Sequence, residues 1–66
     1  MDAKEIGVAA GQVWEYLAEH GETGRTELKR ELDMNDFLVA AAIGWLARED
    51  KVNFVESGRS FNIVLK

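Results

Sequence analysis

After Asp50 the spacing of hydrophobic residues changes from the 3.6 of a helix to the 2 of a strand, and few folds accept that switch in so short a chain. Beyond it, Val52 and Phe54 alternate with Asn53 and Val55, and Phe61, Ile63 and Leu65 alternate with Ser60, Asn62 and Val64. A two-residue turn at Ser57-Gly58 would set Glu56 opposite Arg59, Phe54 opposite Phe61 and Val52 opposite Ile63. That register puts both phenylalanines on one face, as a hairpin laid over a helical core requires. The chain should end in a two-stranded hairpin.

The segment before the switch, Asn35 to Lys51, reads as a helix. Asn35 is a good N-cap, Asp36 adds negative charge at the positive dipole end, and Met34 and Val39 are spaced for a hydrophobic staple. Val39, Ala42, Ile43 and Leu46 form the core stripe. Phe37, Ala41, Gly44 and Arg48 fall opposite it, with Leu38 and Trp45 on the flank, so almost no polar face remains. Such a helix needs cover on more than one side.

Two further helices precede it. Asp2 with Glu5 resembles a capping box opening a helix at about Ala3, whose core stripe is Ile6, Ala10, Val13 and Leu17. A second stripe, Gly7, Gly11, Trp14 and Ala18, lies about 100° round. Two glycines there cost roughly 1 kcal/mol each relative to alanine, which points to close approach of another backbone. His20 and Gly21 end the helix, the glycine as a left-handed cap. Glu22 to Arg25 reads as a short extended connector. Thr26 then caps a brief second helix with Leu28 and Leu32 facing the core, and Asp33-Met34 turns tightly into the third. Two helices joined by so short a turn, followed by a hairpin, make a winged helix-turn-helix, mainly α with a short two-stranded wing.

Composition narrows the function classes. Sixty-six residues form one domain, 1–66, of a size where a single core is marginal without a partner. The absence of cysteine excludes disulfides and thiolate chemistry. The start, MDAKEIG, has no basic segment followed by an apolar one, and no apolar run approaches membrane length, so a cytoplasmic location is the expectation. A net charge of −4 argues against a polybasic binder of nucleic acid or membranes. No cofactor, metal or small-molecule substrate is indicated. His20 is a helix-end residue, and the serines, threonines and aspartates have turn or cap roles, so no enzyme is expected.

The residues Ile6-Gly7, Ala10-Gly11, Val13-Trp14 and Leu17, with Ile43-Gly44-Trp45-Leu46-Ala47-Arg48-Glu49 and Lys51, resemble a family of small stand-alone bacterial and archaeal winged helix-turn-helix domains of unknown function. The resemblance spans essentially the whole chain. It implies the winged-helix fold and a homodimer, and no activity. Asp50 departs from it, standing where the family pattern tends to have glycine.

Function then rests on the residues. The third helix would be the recognition helix, but its outer face offers Asn35, Phe37, Ala40, Ala41, Gly44 and Arg48, a poor set for reading base edges. Phosphate contact is better supplied. Arg25, Lys29, Arg30, Asn35, Arg48, Lys51 and Arg59 form the candidate nucleic-acid set, around the second helix, the third helix and the wing tip. Gly7, Gly11, Trp14, Phe37, Ala41 and Trp45 form the candidate dimer or partner interface, since one small core cannot cover them all. The expected function is a homodimer binding double-stranded DNA through its backbone, as a transcription regulator or nucleoid component. The alternative is a protein-interaction module whose apolar third helix is a contact surface.

Overall fold

The computed structural model describes all 66 residues. Its elements in chain order are α1 (Ala3–His20), β1 (Thr23–Gly24), α2 (Arg25–Glu31), α3 (Asp36–Arg48), β2 (Val52–Ser57) and β3 (Ser60–Leu65). Two of the three expected N-caps form. The Asp2 carboxylate accepts from the Glu5 N–H at 3.0 Å, and the Asn35 side chain accepts from the Leu38 N–H at 2.8 Å. The core joins Ala9, Ala10, Val13 and Leu17 of α1 to Val39, Ala42, Ile43 and Leu46 of α3, closed by Leu28, Met34, Val52 and Ile63. Ile6, expected in the α1 stripe, is half-buried, and Ala9 takes the fully buried place.

The connector after α1 corrects two expectations. Thr23 and Gly24 are a strand, pairing antiparallel with Ile63 and Asn62, so the wing belongs to a three-stranded sheet of order β1-β3-β2 and not to a two-stranded one. The Asn62 side-chain amide donates to Glu22 at 2.9 Å beside this pairing. The cap of α2 is Gly24 rather than Thr26, which lies inside the helix. Glycine is suited to that position because a Cβ there would sit 3.0 Å from the Asn62 side-chain oxygen. Strand pairing, not a hydroxyl cap, decides where α2 begins.

The hairpin register also differs. Ser57 pairs with Ser60, leaving Gly58-Arg59 as the turn, and Phe54 faces Ile63 where Phe61 was expected. Gly58 has φ +63° and Arg59 has no positive φ, which matches a type II′ turn with glycine first. Each β2 residue therefore pairs two positions further along β3 than expected. A shift of two preserves side-chain parity, so Phe54 and Phe61 still share a face. They do not cover the core, however. Val52 and Ile63 are buried on that face, while Phe54 and Phe61 are 50% and 53% exposed.

Helices α2 and α3 end alike. The Met34 N–H donates to the Lys29 carbonyl and Asp33 N–H to Arg30; the Lys51 N–H donates to Leu46 and Asp50 N–H to Ala47. These are Schellman motifs, and the left-handed position of each is an aspartate, Asp33 at φ 53° and Asp50 at φ 60°. An L-residue there is strained, though aspartate less than most. Asp33→Gly is expected to raise stability by roughly 0.5–1 kcal/mol. Asp50→Gly should gain less, because Asp50 also pairs with Lys66 and the substitution gives up that exposed contact. Denaturant melts of both variants check this; a loss of stability in Asp33→Gly would contradict it.

Candidate nucleic-acid interface

Helix α3 stands between two grooves, because its outer face is only partly covered by what packs on either flank. On one side, Ala40 and Ile43 meet Phe54, Ser60, Phe61 and Ile63 of the sheet, with Arg25 at the start of α2, around a groove of about 220 Å³. On the other, Trp45, Leu46 and Glu49 meet Gly7, Ala10, Gly11 and Trp14 of α1, and Lys51 joins them, around about 420 Å³. Phe37 is the most exposed of the large hydrophobic side chains, at 69%.

This division sorts the candidate interface residues. Gly7, Gly11, Trp14 and Trp45 gather round the α1–α3 groove; Phe37 and Ala41 are not among its lining residues. The close backbone approach expected at the glycines does not occur within the chain. A Cβ on Gly7 would make an ordinary contact with the Trp45 ring at 3.6 Å, and one on Gly11 would meet open space. Both tryptophans remain about two-fifths exposed, Trp14 at 42% and Trp45 at 40%.

The candidate cations sort by their partners. Arg25 and Lys29, one turn apart on α2, both reach the Asp36 carboxylate in the first turn of α3, at 3.1 and 3.2 Å. The Lys29 hydrogen bond and charge, then Arg25, hold the Asp36 carboxyl below its ordinary value. Because the folded value lies below the unfolded one, this pairing contributes stability above the unfolded carboxylate range and loses it as pH falls through the folded value. Arg30 bonds its neighbour Glu31 at 3.3 Å, and Lys51 pairs with Glu49 at 3.6 Å in the α1–α3 groove. Asn35 is committed as the α3 cap. Arg48, in the last turn of α3, and Arg59, at the wing tip, have no ion-pair partner. Arg48 and Arg59 are thus unpaired, Arg25 and Lys29 share one exposed carboxylate at the start of α3, Arg30 and Lys51 each pair with a nearby glutamate, and Asn35 is the cap.

Sequence reasoning saw Asp36 only as a dipole partner and missed it as the meeting point of two cations. The available signal was the four-residue spacing of Arg25 and Lys29 just ahead of a short turn. It also missed the contact binding α1 to α2, where the Tyr16 hydroxyl donates to Glu27 at 2.9 Å. That hydrogen bond, with burial and the charge of Glu27, raises the Tyr16 value above the ordinary phenol range.

As a chemical surface, the α3–wing side offers cations with displaceable partners, since exposed ion pairs are worth about 0–1 kcal/mol. It offers no nucleophile with an adjacent base. No helix of the protein is long and apolar enough to cross a membrane.

Comparison with known proteins agrees with this architecture. A family model described as a winged helix-turn-helix domain (DUF2582) matches residues 1–65. An uncharacterized protein, MJ1608 of Methanocaldococcus jannaschii, is 37% identical over 65 residues, covering 94% of this chain and 91% of that protein. The solution NMR structure of protein BT2368 from Bacteroides thetaiotaomicron superposes with a TM-score of 0.87 at 37% identity, over 98% of this chain and 79% of that one. Capped helices, the short turn into α3 and the sheet beside it, together with a match along nearly the whole chain, place this protein in the winged helix-turn-helix family DUF2582.

Proposed function

We propose that the protein binds double-stranded DNA mainly through phosphates, as a cytoplasmic homodimer with a regulatory or nucleoid role. The observation supporting this is that Arg25 and Lys29 reach the first turn of α3, Arg48 stands in its last turn and Arg59 at the wing tip, on the elements a winged helix presents to a duplex. Sequence preference is weak in this reading. Among the outward residues of α3, only Arg48 has the reach for a bidentate base contact, beside Phe37, Ala40, Ala41 and Gly44. Titration of a random duplex at about 50 mM salt tests it, since such conditions favour even non-specific binding. No shift with tens of micromolar protein would end the DNA reading.

The dimer forms through the α1–α3 groove, where two half-exposed tryptophans and the open Gly11 invite a second copy. Gly11→Leu is expected to reduce the mass seen by light scattering at micromolar concentration from dimer to monomer, by overpacking the contact. The same change raises helix propensity by roughly 0.8–1 kcal/mol, so loss of the dimer would not reflect unfolding. A wild-type mass of one chain would contradict the proposal.

A second reading is favoured by one observation, the exposure of Phe37 among small residues on α3. A protein-contact surface has that character. In that case Phe37→Ala abolishes partner association, and alanine at Lys29 or Arg59 is silent.

A further inference from the structure

All three phenylalanines of the chain are exposed: Phe37 at 69%, Phe54 at 50% and Phe61 at 53%. Phenylalanine is among the residues most often buried, so a chain that turns out every one it has needs a reason. Phe54 and Phe61 lie on adjacent strands, on one face, and with Ala40 and Ile43 line the groove beside α3. Because Phe54 pairs with Ile63 and Phe61 with Glu56, the two are diagonal neighbours, with backbones about 7–8 Å apart. Arg25 lies in the same groove, its side chain half exposed, and Arg59 stands in the turn between the two strands.

We propose that this groove binds single-stranded nucleic acid, with bases stacked on Phe54 and Phe61 and phosphates held by Arg25 and Arg59. The inference rests on the reading of the α3–wing side as a nucleic-acid surface. Its specific content is the form of the nucleic acid. Stacking on an aromatic ring needs a free base face, and a duplex keeps its base faces covered by their neighbours. Aromatic side chains on neighbouring strands with cations alongside are how sheet platforms hold single strands. A protein partner fits less well, because the centre of a protein–protein contact is depleted of charge, and here Arg25 lines the groove together with the two phenylalanines. The carboxylates nearby are Glu56, opposite Phe61 on the same face, and Asp36, which is engaged by Arg25 and Lys29.

The test is fluorescence anisotropy at about 50 mM salt with a labelled oligothymidylate of about 12 nucleotides and a duplex of equal length. The single strand is expected to bind at least as tightly as the duplex. Phe54→Leu and Phe61→Leu keep an apolar side chain but no ring, and each should weaken single-strand binding roughly 5- to 150-fold. Phe54→Tyr and Phe61→Tyr keep the ring and should retain binding. Circular dichroism confirms that each variant is folded. Duplex binding with weaker or absent single-strand binding overturns the inference and leaves the proposed function standing. Leucine variants that bind the single strand as wild type does also overturn it. No binding of either probe overturns both. A fall in mass of the leucine variants, with neither probe bound, would make this face a contact between copies of the chain.

Discussion

Leu28→Ala is expected to lower the thermal midpoint more than any surface substitution in the chain. Helix α2 has seven residues, and an isolated helix shorter than about 12–15 residues is marginal in water, so α2 persists only through packing. Leu28 is its one buried residue, fully enclosed by the core. Truncating a buried leucine to alanine costs about 2–5 kcal/mol. A chain of this size has a net stability of about 3–10 kcal/mol, so the loss is a large part of the whole. With each kcal/mol worth about 4–8 °C, the midpoint should fall by at least about 8 °C. Phe37→Ala is the control, an exposed site where the change should stay within about 0.5 kcal/mol. Thermal melts by circular dichroism separate the two. Equal midpoints would mean that Leu28 does not anchor α2.

The helices were legible because their signals are local. Asp2 and Asn35 cap where the sequence places caps, and the α3 core stripe, with Ala10, Val13 and Leu17 of α1, follows from spacing, although Ala9 and not Ile6 completes the α1 stripe. What was not legible depends on contacts far apart in sequence. Two residues, Thr23 and Gly24, carry no periodicity of their own; they are a strand because β3 supplies a partner some forty positions away. That pairing also moves the α2 cap from Thr26 to Gly24. The hairpin turn was ambiguous for another reason. Glycine serves the second position of some tight turns and the first of others, and only the backbone angle at Gly58 separates Ser57-Gly58 from Gly58-Arg59. The site divides in the same way. Phe37, Ala41 and Trp45 look like one surface on a helical projection, but α1 claims Trp45 for its own groove while Phe37 stays clear of it. Pairing of the cations is likewise a property of where α2 and α3 meet, which composition and net charge do not report.

Those pairings give the charge variants opposite signs. Arg59→Ala removes a free cation from the wing tip and should weaken duplex binding equally for all sequences, flattening the salt slope by about one unit. Asp36→Asn removes the carboxylate that Arg25 and Lys29 share, freeing both and lifting a negative charge from the start of α3; duplex affinity should rise. Lys51→Ala, in the α1–α3 groove, should leave affinity almost unchanged. An Asp36→Asn variant that binds more weakly would mean that Arg25 and Lys29 must be held in place by the carboxylate.

The most direct test of phosphate-dominated binding is a titration of one random duplex at about 50 and about 200 mM salt. Four neutralised phosphates give a logarithmic salt slope near −3.6, so a fourfold rise in salt should weaken binding on the order of a hundredfold. A second duplex of unrelated sequence should give the same pair of affinities within a few-fold. Binding that is insensitive to salt, or confined to one sequence, would contradict the account.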